Sequence, residues 1–257
     1  MGTALIQGAV QSGVIEASKL TGVDPYPAAR EQFVEATGGQ AGEDIASLAN
    51  SDLVLLCTKP LQIAETLATL AEAAPDQPML IISVAAGISV AALEAAAGPK
   101  MRVIRCMPNT PALVGKGAAA YCVGSQATAE DSACAQSLLG SVGVALEVEE
   151  GLMDAVTGLS GSGPAYVYLM IEALVDGAEK QGLSRENALR LAAQTVFGAA
   201  SMVIETGREP SDLREMVTSP NGTTLAGLNA LGDRDFKGVV ESAIAAATAR
   251  SVELGQS

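Results

Sequence analysis

Residues 79–89 read MLIISVAAGIS. The first seven are uncharged and almost continuously apolar, rather than alternating apolar with polar. Alternation would mark a strand with one wet face; a continuous run marks a strand covered on both. A small-residue turn follows, and then Ser89, a good helix N-cap ahead of an Ala-rich stretch. A doubly covered strand handing over to a helix predicts a parallel sheet with helices on both faces.

The same texture extends outward. DLVLLCT (Asp52 to Thr58) precedes a helix from Pro60 to about Ala74, with proline in the first turn where it is tolerated. MRVIRCM (Met101 to Met107) and GAAAYCVG (Gly117 to Gly124) read as further strands. A helix from Thr128 to Leu139 precedes VALEVE (Val144 to Glu149). Residues 1–150 thus read as an α/β, Rossmann-like dinucleotide-binding domain. After Gly151 no strand is evident. AYVYLMIEALVDGAEKQG has apolar residues at helical spacing and stops at Gly182, and Ser184 caps a helix from Arg185 to Glu205. A short helix follows Pro210 and Ser211, another follows TSPNGTT, and Phe236 to Leu254 forms the last. Residues 151–257 therefore read as an all-helical domain. Leu169 to Val175 looks apolar on more than one side, which fits a buried central helix or a subunit interface; the interface is favoured.

Composition narrows the chemistry. The chain has 257 residues, with 29 Asp plus Glu against 15 Lys plus Arg and a net charge of −14. That argues against nucleic acid and against an anionic membrane surface as partners. The longest uncharged runs, Gln77 to Leu93 and Ala155 to Ile171, are broken by Gly, Ser or Pro and read as buried elements. No basic-then-apolar leader is evident at the start, so a cytoplasmic location is expected. Cys57, Cys106, Cys122 and Cys134 lack CxxC spacing and read as small buried hydrophobes, with a catalytic thiol or zinc ligand as the lesser reading. There is no histidine. Ser-His-Asp catalysis, Cys-His catalysis and His-based metal sites are all excluded, and no metal is expected. Hard chemistry must come from a cofactor.

An α/β half joined to a helical half suggests a dinucleotide reductase, whose fingerprint is G-x-G-x-x-G after the first strand. The chain instead opens MGTALIQGAV. Gly2 reads as the last glycine of that motif and Thr3 onward as the first helix, so the first strand is missing. Its neighbours in the sheet should then be left unpaired, and the start is expected to lie about ten residues upstream in the natural protein.

SVAAGIS (Ser83 to Ser89), RCMPNTPALVGKG (Arg105 to Gly117), TGLSGSGPAY (Thr157 to Tyr166) and TSPNGTT (Thr218 to Thr224) together resemble the pyrroline-5-carboxylate reductase family, in order and over essentially the whole chain. The resemblance implies reduction of the cyclic imine pyrroline-5-carboxylate to proline with NADPH or NADH. The helical domain would serve dimerisation, in dimers that often assemble further, commonly into decamers. A cyclic imine takes up its own proton and becomes a good hydride acceptor, so the absence of histidine is no obstacle.

The resemblance also implies a site. Ser219, Gly222, Thr223 and Thr224 would surround the substrate carboxylate, using main-chain amides at a helix mouth. Many members have Gly-Gly where this chain has Asn221-Gly222; Asn tolerates a positive φ, so the turn should survive. Thr157 matches a threonine near the imine nitrogen and, with Thr224, is carried as catalytic. A threonine is a weak acid, which favours orienting the imine or relaying a proton from water over direct donation. Glu150 matches a position near substrate, and a solvated carboxylate explains it as well. For the cofactor, Thr58, Lys59 and Pro60 stand where the family usually has Val-Lys-Pro. Ala85, Ala86 and Gly87 hold the equivalent place one strand on, and Asn109 should lie near the nicotinamide. Asp24 ends the presumed second strand, where an acidic residue accepts from the ribose 2′-OH and repels a 2′-phosphate. That leans towards NADH, with Arg30 the nearby cation. Two other readings remain: another two-domain reductase of imine or hydroxyacid type, which should lack SPNGTT, and a non-catalytic oligomeric remnant disabled by its start.

Overall fold

A computed structural model describes residues 1–255. Packing divides the chain into two units, Met1–Ser162 together with the end of the chain from Ala245, and Gly163–Ile244.

The first unit is built on a sheet in two pieces. β1 (Thr21–Val23) pairs in parallel with β2 (Gln40–Gly42). β3 (Leu53–Leu56), β4 (Met79–Ser83), β5 (Met101–Met107), β6 (Gly117–Val123) and β7 (Gly143–Glu147) form a five-stranded sheet in that order. Among the described residues β1 and β3 do not pair with each other or with a further strand. This is the break expected at the place of the first strand.

The opening stretch behaves as its sequence predicts: every residue of β4 is buried. Its side chains alternate between two cores. Leu80 and Ile82 join Ile104, Cys106 and the helices α1 (Gly2–Gln11) and α5 (Ala129–Gly140) on one face. Met79 and Ile81 join Val103, α3 (Ile63–Ala73) and α4 (Val90–Ala97) on the other. Each fully buried aliphatic side chain contributes about 1.5–3 kcal/mol, so the central strand anchors the unit. Expected caps are present: Ser89 Oγ accepts from Ala92 N at 3.1 Å, and Thr128 forms a capping box with Asp131. α2 (Pro27–Thr37) completes the unit's longer helices at its start.

One expectation is corrected. β6 runs antiparallel to β5, whereas β7 returns parallel to β6. The connection between β5 and β6 carries a single 3₁₀ turn, Thr110–Val114. A parallel crossover needs a dozen or more residues, so this link only allows the chain to fold straight back. The packing division also falls later than the change in texture at residue 150. α6 (Met153–Val156) belongs to the first unit because Met153 is fully buried with Val90, Ala120 and Cys122.

The second unit is helical: α7 (Gly163–Lys180), α8 (Arg185–Thr206), α9 (Pro210–Met216), α10 (Thr223–Gly232) and the start of α11 (Phe236–Gly255). Gly182 ends the first turn after α7 at φ 96°, the left-handed region that glycine enters without strain. The unit's core is small: Val175, Ala188 and Ala192, with Ile171 and Ala178 beside them. Leu169, Met170, Leu174, Phe197 and Ile204 are exposed. Within Leu169 to Val175 only Val175 is buried, which favours an interface over a buried central helix. No helix among the described residues is long and apolar enough to cross a membrane.

Candidate functional site

Gly2, at the mouth of α1, lies against Cys57, which leads from β3 into Thr58, Lys59 and Pro60; Ala85, Ala86 and Gly87 follow β4, the strand paired with β3. Gly2 starts α1, whose N-terminus has no side-chain cap. A Cβ on Gly2 would stand 2.7 Å from Cys57 Sγ, so only glycine lets helix mouth and strand end touch. Uncapped amides at a helix mouth suit an anion. Lys59 is exposed and enters no ion pair among the described residues. Thr58 Oγ1 is the one buried side-chain oxygen without a partner among the described residues. A group rich in hydroxyls and phosphate oxygens fits these open valences. Pro60 begins a 3₁₀ turn that leads into α3. On the next strand Ala85 is buried and Ala86 half-buried; Gly87 turns at φ 78°, and a Cβ there would lie 3.4 Å from Leu254 of α11.

The cysteines are corrected in part: Cys106 and Cys122 are buried, Cys57 and Cys134 exposed. Although Cys57 is exposed as a residue, its thiol lies in the contact with Gly2, and desolvation there raises its pKa to about 11. Burial also raises Cys122 to about 11 and pushes Cys106 and Cys134 upward. Four protonated thiols at neutral pH make poor nucleophiles.

Asp24 and Arg30 form one local structure after β1. Asp24 Oδ1 accepts from Tyr26 N at 2.9 Å. The Arg30 guanidinium donates to the carbonyl oxygens of Asp24 (2.8 Å) and Pro25 (3.1 Å) and stands 3.8 Å from Glu43. The nearby cation is thus committed to main-chain oxygens and faced by a carboxylate.

Glu150 has a structural partner set. Its Oε1 accepts from Val90 N, at the mouth of α4, at 2.6 Å and from Arg105 Nη1 at 3.3 Å. Arg105 is 7 % exposed, between the buried Ile104 and Cys106 of β5, and Asp154 lies 4.0 Å from its other amino group. Asp154 in turn accepts from Ser251 Oγ at 2.6 Å. Arg105 is a residue that sequence reasoning passed over. The signal was available: a charge inside the apolar strand MRVIRCM needs buried partners, and Glu150 and Asp154 sit four residues apart.

Beyond α6 the chain makes a π-helical turn, Thr157–Gly161. π-turns are rare and concentrate at functional sites. Thr157 Oγ1 donates to Met153 O at 2.9 Å, so its proton is committed and its lone pairs remain. Asn109 is 7 % exposed; its Nδ2 donates to Ser160 O at 3.0 Å and its Oδ1 accepts from Ala118 N at 2.9 Å.

In the helical unit the loop before α10 has the expected form. Asn221 takes φ 58°, and Gly222 N donates to Ser219 O at 3.0 Å. A Cβ on Gly222 would meet Ser219 Oγ at 2.3 Å, so any other residue would have to turn that hydroxyl away from the helix mouth. Gly222 is the N-cap of α10 and no side chain caps the helix. The amides of Thr223 and Thr224 are therefore open at a ten-residue helix mouth. Ser219 and Thr223 are exposed and Thr224 half-buried.

Comparison with known proteins bears on both units. The family profile for pyrroline-5-carboxylate reductase dimerisation matches residues 150–254, and that for NADP oxidoreductase, coenzyme F420-dependent, matches residues 1–87. A pyrroline-5-carboxylate reductase of Methanosarcina acetivorans is 40% identical over 257 residues, covering 100% of this chain and 95% of its own. That of Pseudomonas aeruginosa is 43% identical over 262 residues, covering 100% and 94%. Among solved structures, a pyrroline-5-carboxylate reductase from Coxiella burnetii superposes with a TM-score of 0.94 at 32% identity, covering 100% of this chain and 95% of that one. A Plasmodium falciparum pyrroline carboxylate reductase with NADP bound gives 0.87 at 32% identity, covering 99% and 94%. Prephenate dehydrogenase from A. aeolicus shares the fold alone, at 0.53 and 15% identity. With identity of this order over the whole chain and a dimerisation profile over residues 150–254, the chain belongs to the pyrroline-5-carboxylate reductase family.

Proposed function

We propose a division of labour for the reaction this chain carries out, the reduction of pyrroline-5-carboxylate to proline with NAD(P)H. In the sheet unit, Gly2, Thr58, Lys59, Pro60, Ala85, Ala86 and Gly87 hold the dinucleotide, which when bound supplies a hydride. In the helical unit, Ser219, Gly222, Thr223 and Thr224 hold the ring carboxylate. The observation that carries this second assignment is the uncapped mouth of α10, where open amides stand among hydroxyls. Such a mouth attracts a carboxylate without an arginine or lysine.

The reaction adds a hydride to the imine carbon and a proton to the imine nitrogen, so C=N becomes CH–NH. A threonine whose proton is already given to a carbonyl accepts rather than donates. Thr157 therefore receives the N–H of the protonated imine and holds that hydride-accepting form in place, the proton itself having come from water. Glu150 supports the frame by capping α4 and neutralising Arg105. Asp24, in acidic surroundings, favours NADH.

The dimerisation domain makes the chain self-associating. We further infer dimers that assemble further, up to decamers, working in the cytoplasm on a small molecule. The charge of −14 supports the exclusion of nucleic acid and membrane as partners.

The test of the carboxylate site uses pyrroline-5-carboxylate and the unsubstituted 1-pyrroline, which lacks the carboxylate. Thr224→Val should raise KM for the first about five- to tenfold, the worth of one hydrogen bond, and leave the second nearly unchanged. Equal effects on both substrates would refute the assignment.

A further inference from the structure

The resemblance put Asn109 near the nicotinamide; both ends of its amide are bound to main chain from two other segments. On one side Oδ1 holds Ala118 at the start of β6; on the other Nδ2 holds the Ser160 carbonyl in the π-turn that carries Thr157. The side chain is nearly fully buried, so water does not compete for either bond. A second contact ties the same two segments: a Cβ on Gly161 would stand 2.6 Å from Met107 Cε, at the end of β5, so strand end and turn are in close packing. A π-turn carries one residue more than the α-helical ladder accommodates, and the residue four on from Ser160 is Pro164, which has no N–H to give the Ser160 carbonyl. An amide donor from outside is what fixes such a turn in one conformation.

We propose that Asn109 is a positioning residue for hydride transfer: it sets the π-turn, and through it Thr157, rather than touching the dinucleotide. The inference rests on the reading of Thr157 given above. A displaced Thr157 leaves the iminium in the site but out of line with the hydride, and misplacement of about 1 Å costs on the order of a hundredfold in rate. Binding of the dinucleotide, held by the ends of β3 and β4, is untouched.

Asn109→Asp tests this, because it retains the acceptor for Ala118 N and turns a carboxylate oxygen towards the Ser160 carbonyl. Asn109→Ser, which withdraws from both partners without burying a charge, serves as the second variant. The expected result is a fall in kcat of tenfold or more, on the order of one lost buried hydrogen bond. NADH affinity by fluorescence titration should stay within about twofold of the parent on the same scale. The kinetic isotope effect with 4-deuterated NADH should rise as hydride transfer becomes rate-limiting. NADH affinity falling in step with kcat would overturn the proposal, since it would put Asn109 on the dinucleotide. An unchanged kcat, or a lower kcat with no change in isotope effect, would also overturn it. Thr157→Val in the same assays separates the two readings: if it lowers kcat while the Asn109 variants do not, the role of Thr157 stands and that of Asn109 falls.

Discussion

At Asp24 the proposed preference for NADH comes down to a single side chain. One of its carboxylate oxygens is spent on Tyr26 N, and the neighbouring Arg30 is spent on two carbonyls and faced by Glu43. A 2′-phosphate arriving here would meet carboxylates with no uncommitted cation. Each unit charge of repulsion near a protein surface is worth a few kcal/mol before screening, enough for at least tenfold discrimination. Asp24→Ser should therefore shift the NADPH-to-NADH ratio of kcat/KM about tenfold towards NADPH. Comparable efficiencies with both cofactors in the parent enzyme would remove the argument. The residue scale also shows where sequence reading stops. Asn221 and its positive φ were legible from the Asn-Gly pair, because local backbone preference travels with the residue type. The committed proton of Thr157 was not, because its acceptor, Met153 O, faces it only once the chain has entered a helix.

Between elements, the link from β5 to α5 is an ion pair. Arg102 Nε and Nη2 donate to the two oxygens of Asp131 at 2.6 and 3.0 Å, and Asp131 also accepts from Thr128 N. The Arg102 bond is the main cause holding the Asp131 carboxyl below its ordinary range. A carboxylate depressed by folding stabilises the fold above the ordinary Asp value of about 3.9 and loses that contribution as pH falls through its folded value. Arg102→Met should destabilise the chain by about 1–3 kcal/mol at pH 7. Thermal melts from pH 7 down to about 3 should show the gap between variant and parent closing at the acid end. A gap independent of pH would show that packing of the arginine stem, not the ion pair, was lost. The strand pattern was legible here, and the direction of β6 was not. Hydrophobic runs reveal burial on both faces, but direction depends on how far the connection can reach.

At the scale of the molecule, the helical unit buries little by itself. Val175, Ala188 and Ala192 form its core, while Leu169, Met170, Leu174 and Phe197 lie open. Apolar surface of that extent is unusual on a monomer, and a dimerisation profile over residues 150–254 gives it a use. Leu174→Asp should weaken self-association by more than about tenfold, as a charge at an interface core does. Light scattering after size exclusion would register the smaller particle. Leu61→Asp, at a leucine 98 % exposed in the sheet unit, is the control and should leave the mass unchanged.

The sequence by itself determined the family, the order of strands and helices, the caps and the turn at Asn221, since periodicity, N-cap chemistry and glycine placement are properties of neighbouring residues. It also determined that no histidine takes part. Tertiary structure alone decided the reversal at β6 and the partners of Arg105, Asn109 and Glu150. Those partners are tens of residues apart along the chain. A buried polar group must be satisfied, and which distant atom satisfies it is fixed only when the chain packs.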